Sequence, residues 1–134
     1  MGSFSNYTES KVLAHIFKNT AFTQPTAIYI ALCKSTIAED DTGSTLPTEI
    51  SGGSYARQAC ATWDTSGTQG IANNNVPITF AEATANWGTA TDFAIVDAST
   101  AGNLLAYGKL GTAKKIGTGD TAKFATDAIT VTLD

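Results

Sequence analysis

At 134 residues the chain has the commonest size for one folding unit with a continuous core, and we expect a single domain over 1–134 with 1–19 as an N-terminal arm and helix. Hydrophobic residues make up 43% and charged residues 15%, which excludes a disordered polyelectrolyte, and 22 Thr with 21 Ala and 12 Gly lean toward pleated, turn-rich structure. A net charge of −4 has the wrong sign for neutralising phosphates, and no run approaches the roughly 18–20 apolar residues of a membrane helix, so neither nucleic acid nor membrane is an expected partner.

Residues 6–17 carry the one clear helix signal. Asn6 is placed to cap, Glu9 stands three residues on as in a capping box, and Val12, Leu13, Ile16 and Phe17 share a stripe. About three turns are marginal alone, so the stripe is expected to pack against a sheet face. After Pro25 the period changes to two. In 27–33, Ile28, Ile30 and Leu32 share one face and Tyr29, Ala31 and Cys33 the other, as in a central strand covered on both sides. Residues 35–54 then read as a loop long enough to need a functional reason, a contact or flexible segment.

Residues 55–63 read as a second strand. A soft turn over 64–70 and the Asn73-Asn74-Asn75 turn precede a strand through Val76, Ile78 and Phe80. Residues 91–97 and 104–110 form an expected hairpin, and short strands around Lys123-Phe124 and over 129–133 follow the turn Gly117-Thr118-Gly119-Asp120. Seven or eight strands at about ten-residue spacing, with a single helix, argue for a mostly β, antiparallel two-sheet sandwich of the jelly-roll or immunoglobulin kind. The N-terminus lacks the basic flank and apolar run of a signal peptide, so synthesis in the cytoplasm is expected.

Chemistry has little to work with. His15 is the chain's one histidine, so any His-dependent triad, dyad or metal site must be built around that one ring, which reads as a surface or partly buried histidine. Cys33 and Cys60 lie in predicted strands without CxxC spacing and read as buried free thiols, a disulfide between them requiring that the two strands be neighbours. The Glu39-Asp40-Asp41 cluster lacks calcium-loop spacing, and 117–120 lacks that of a phosphate loop and its following helix. Glu82, Asp92 and Asp97 are the carboxylates near strand ends that a glycosidase pair would require, but nothing selects two of them. Trp63 and Trp87 read as core, with a sugar-binding platform as the competing use. No catalytic residue, cofactor or metal is expected.

The order of segments carries a resemblance. Asn6-Tyr7-Thr8-Glu9 opens the helix, Ala21-Phe22-Thr23-Gln24-Pro25 leads into Ile28-Tyr29-Ile30-Ala31-Leu32, and Gly53-Ser54-Tyr55-Ala56-Arg57-Gln58 follows. Ile78-Thr79-Phe80, Asn86-Trp87-Gly88, Phe93-Ala94-Ile95-Val96-Asp97 and Gly102-Asn103-Leu104-Leu105-Ala106-Tyr107-Gly108 complete it. Over almost its whole length the chain resembles small virion proteins of tailed bacteriophages, described as structural, head-decoration or tail-fibre-like; its Tyr-Ala-Arg and Trp-Gly segments are the most distinctive parts. The resemblance implies a jelly-roll-like module on the outside of a particle, with no catalytic residues to carry over.

The expected role is therefore a capsid decoration or cement protein on the outer head surface. Its partners would be the major capsid protein and further copies of itself around a symmetry axis, with weak contacts made strong by repetition. A tail-fibre or baseplate module binding a host receptor or carbohydrate is the alternative, and an enzyme acting on cell-wall sugar the third class. Candidate interface residues are Phe4 and Tyr7 in the N-terminal segment and Glu39, Asp40, Asp41 and Leu46 in the long loop.

Overall fold

The computed structural model describes residues 2–67 and 69–133. Helix α1 spans Asn6–Phe17, the expected range, but its cap is Ser5, whose extended backbone and side chain meet the free Thr8 N–H at 3.3 Å. Ser5 Oγ also donates to the Leu104 carbonyl, Ser5 N to Leu105 O at 3.0 Å, and Thr8 Oγ1 to Leu105 O at 2.8 Å. Both side chains are buried. The polar first turn is thereby fixed to the sheet, and that contact sets the helix's rotation. Phe17, nine residues from Thr8, falls about 180° around the axis. The apolar stripe therefore faces solvent, with Leu13, Ile16 and Phe17 exposed by 56%, 63% and 78%. The expected packing of this stripe on a sheet face is overturned, because three hydrogen bonds from Ser5 and Thr8 to β8 fix the helix's rotation against its weaker apolar periodicity.

The strands are β1 (Gly2–Phe4), β2 (Tyr29–Cys33), β3 (Gln58–Ala59), β4 (Trp63–Asp64), β5 (Ile71–Asn74), β6 (Ile78–Thr79), β7 (Gly88–Val96), β8 (Leu104–Ile116), β9 (Lys123–Phe124) and β10 (Thr130–Thr132). Eight pair in the order β3-β2-β7-β8-β1-β10-β5-β4, while β6 and β9 form a separate two-stranded sheet. The two edges of the large sheet, β3 and β4, are consecutive in the chain with residues 60–62 between them. Four Cα steps reach at most about 15 Å, whereas eight strands laid flat would span roughly 33 Å. The sheet must curl until its edges approach, close to a barrel.

The fold is mostly β with one short helix, as expected, but the strands do not divide into the two comparable sheets of a jelly-roll or immunoglobulin sandwich. The ladder is also not wholly antiparallel, since β1 lies between β8 and β10 and runs parallel to the latter, Gly2 opposite Val131. The N-terminal arm is thus partly a sheet strand. The single strand expected over 55–63 is broken into β3 and β4 because this segment carries the chain from one edge to the other. Cys60 N donates to Ile28 O at 2.8 Å on one side of the break, and Trp63 Nε1 donates back to Cys60 O at 3.1 Å on the other. Asn74, read as a turn residue, closes β5 instead. Its buried side chain donates to Val76 O and Ala125 O and accepts from Ile129 N, all within 2.8 Å.

Apolar residues cover β2 on both faces, as its sequence implied. Ile30 and Leu32 join Phe93, Ile95 and Leu105 in the larger core, while Ala31 and Cys33 join Ala94, Val96 and Leu104 in a smaller one. The small sheet adds Ile78 and Phe80 to the larger core, where Phe80 lies 6.4 Å from Phe124 and 6.0 Å, stacked, from Tyr55. The long 35–54 segment closes the smaller core with Ile37 and Leu46 and enters the larger one with Ile50.

That segment is held by Arg57, the chain's one arginine. Its Nε and one Nη2 hydrogen pair with Glu49 at 2.8 and 2.9 Å, Nη2 also reaches Gly43 O at 2.7 Å, and Nη1 reaches Ala98 O and Ala101 O at 3.0 and 2.8 Å. All five guanidinium hydrogens are used. The Tyr55 hydroxyl donates to Glu49 Oε1 and accepts from Leu32 N, each at 3.0 Å, extending the cluster to β2. Removing one partner of a buried, bidentate pair typically costs about 3–5 kcal/mol. Arg57→Leu is expected to lower stability by that amount in urea unfolding and to open 35–54 to limited proteolysis. Arg57→Lys should rescue little, since an ammonium cannot serve this fork of acceptors; an unchanged midpoint for Arg57→Leu would remove the cluster from its assigned role.

Candidate functional site

Several of the side chains considered for chemistry hold backbone instead. His15 is exposed, and its Nδ1 accepts from Phe22 N at 3.3 Å, tying the chain after the helix back onto it. Asp97 accepts from both Asn103 N at 2.7 Å and Asn103 Nδ2 at 2.8 Å and so closes the β7–β8 turn. Asp120 accepts from Gly117 N at 2.8 Å, the turn geometry its sequence suggested. Asp92 is buried and meets the Thr91 hydroxyl at 2.8 Å, while Glu82 is exposed. No cluster of three or more His, Cys, Asp or Glu that could hold a metal ion occurs among the described residues.

Cys33 and Cys60 are free and buried, and they belong to different cores. Burial, reinforced by the Glu49 carboxylate, pushes the Cys33 thiol up to about 12. Burial also raises the Tyr55 phenol. Neither tryptophan offers a face for a sugar ring to the extent a platform requires. Trp87 is buried, donates to Gly53 O at 2.8 Å and meets Tyr55 edge-on with ring centroids 5.4 Å apart. The Tyr-Ala-Arg and Trp-Gly segments, far apart in sequence, are therefore one packing unit. Trp63 is half-buried against the larger core.

Of the six candidate interface residues, two are built into the fold near the N-terminus. Phe4 sits on β1, half-buried against the larger core rather than free as an anchor, and Tyr7 packs edge-on to Phe22 at 6.3 Å with Lys11 Nζ 5.6 Å from its ring centre. Leu46 is partly buried against the smaller core. Glu39 and Asp40 are exposed, and Glu39 lends its carbonyl to Asn6 N at 2.9 Å; Asp41 accepts from Ala38 N at 2.8 Å. Only the acidic pair of the six keeps side chains clear of the fold.

Two features absent from that set are apparent in the structure. One is the outward stripe Leu13, Ile16 and Phe17. The other is a cavity of about 290 Å3 inside the curl of the large sheet, where the half-buried Phe22, Pro25, Ile28 and Trp63 meet the buried Ile95 and Leu105. Its one polar lining residue, Thr8, has its hydroxyl committed to Leu105 O. The stripe was legible in the sequence but assigned to the interior; the cavity follows from sheet curvature, which periodicity does not encode.

The family described as Podophage GP4 fiber I protein gp80 matches residues 3–132. No curated protein matches the chain.

The buried Cys33 has a consequence for alkaline solution. Its native value lies above the 9.0 of an unperturbed thiol, so its contribution is intact below that pH and is lost as pH rises toward about 12, where the unfolded chain ionises first. Urea midpoints should fall steadily through this window, and Cys33→Ala should flatten part of the fall. Iodoacetamide at pH 8 should label neither cysteine until denaturant is added; rapid native labelling of Cys33 would contradict its placement.

Proposed function

The chain belongs to the family of the podophage GP4 fiber I protein gp80, a family of small tailed-phage virion structural proteins, and on that premise we propose that it is a non-enzymatic fibre-type component displayed on the outside of the particle. The observation that carries this reading is the family match across residues 3–132. The geometry supports it from another side. The arginine, the histidine and the two turns closed by Asp97 and Asp120 serve the fold, and what the surface offers is an apolar helix face rather than a reactive constellation.

The family's fibre description favours a fibre over the capsid-cement role suggested by sequence resemblance, in which the major capsid protein would be the partner. Recognition of carbohydrate is the less supported use of a fibre module here, because Trp87 is buried and Trp63 half-buried. We assign the module to protein–protein contacts within the fibre, including contacts between its own copies about a symmetry axis, each too weak to act singly and strengthened by repetition.

Cryo-electron microscopy of the parent particle, with an antibody to this chain as a marker, tests the assignment. Label along a fibre is the expected outcome. Label distributed over the head shell would replace it with the capsid-cement reading, and particles without label would end both.

A further inference from the structure

The outward helix face and the barrel cavity are opposite halves of a contact that the single chain leaves unmade. Leu13 and Phe17 lie one helical turn apart on the exposed stripe, and Phe17 is 78% exposed. Exposed large apolar side chains grouped in this way mark interaction surfaces. Among the described residues that line it, the cavity of about 290 Å3 has no free polar group to orient a hydrogen-bonding ligand. An apolar hole of roughly 150 Å3 holds a benzene ring, so this one has room for a phenyl ring and a neighbouring branched side chain.

We infer that the occupant is a second copy of this chain, whose Phe17, with Leu13 beside it, enters the cavity of the first. Three considerations select it. Two stripes meeting face to face would cover only one side of each side chain, whereas insertion surrounds Phe17 and Leu13 on all sides. The charges also correspond. Lys18 follows Phe17, while Glu9 and Asp64, the charged residues adjacent in sequence to lining positions, are both acidic. Finally, protrusion and socket lie on different parts of one chain, so the contact is heterologous and continues from copy to copy, closing into a ring or extending as a filament. The inference rests on the fibre reading and names the surface through which copies meet.

Purified protein tests it independently of where the particle carries the chain. The native chain should associate with rising concentration in sedimentation velocity. Phe17→Ser, at an exposed position, and Ala72→Leu, which fills the socket from β5, should each weaken association at least about tenfold. Ala106→Leu fills the same socket from β8 and should match Ala72→Leu. Mixed in equal amounts, Phe17→Ser and Ala72→Leu chains should form a discrete 1:1 dimer and nothing larger, since one intact Phe17 and one intact socket remain. A mixture that stays monomeric overturns the inference, as does association lost with Phe17→Ser but retained when the socket is filled, which would mean stripe against stripe. A native chain that stays monomeric to millimolar concentration while toluene raises its melting temperature would make the cavity a small-ligand site and equally refute the copy-to-copy contact. Failure on any of these counts leaves label along the fibre untouched.

Discussion

The buried guanidinium of Arg57 is the constraint on which most of the structure depends. A charge with five hydrogens taken out of water demands five acceptors, and the chain supplies them from two places: Glu49 and Gly43 in the long segment, and Ala98 and Ala101 in the β7–β8 turn. Meeting that demand draws a segment of some twenty residues down onto β2, where Ile37 and Leu46 cover the smaller core. Tyr55 carries the constraint inward, since its hydroxyl links Glu49 to the Leu32 amide while its ring packs between Phe80 and Trp87. A polar cluster of this kind specifies an arrangement more than it adds stability, because a slipped loop would strand a buried charge.

Local features were legible in the sequence and long-range ones were not. The bounds of α1, the two-faced burial of β2 and the turn at 117–120 follow from periodicity and turn chemistry, and the structure has them in place. The direction of the helix stripe does not, because Ser5 and Thr8 answer to carbonyls of Leu104 and Leu105, about a hundred residues away. Asn74 shows the same limit: three consecutive asparagines read as a turn, yet one is a buried clamp across to 125–129. Alternation over 55–63 was real enough to suggest a strand, but it could not reveal that three residues in its middle must bridge the two edges of a sheet. Strand count was close, and pairing order, which decides between sandwich and curled sheet, is not written in alternation at all.

The candidate surface residues fall where they do for a related reason. Sequence reasoning sought contacts in the N-terminal residues and the acidic loop, the segments without periodic structure. Phe4 and Leu46 went instead to the core, and the helix judged to be interior kept its apolar side free. A mismatch between apolar pattern and burial is the signal that carries functional information here.

The edges of the large sheet have a further consequence. Each edge strand is two residues long, and the chain itself runs from one to the other through 60–62. A long bare strand edge is a template on which further strands add without limit, and proteins held at high local density are the most exposed to that hazard. Here the backbone groups that would seed such growth are reduced to two short stubs facing one another across a three-residue strap. Copies crowded side by side can then meet through side chains without their sheets fusing into amyloid-like aggregates.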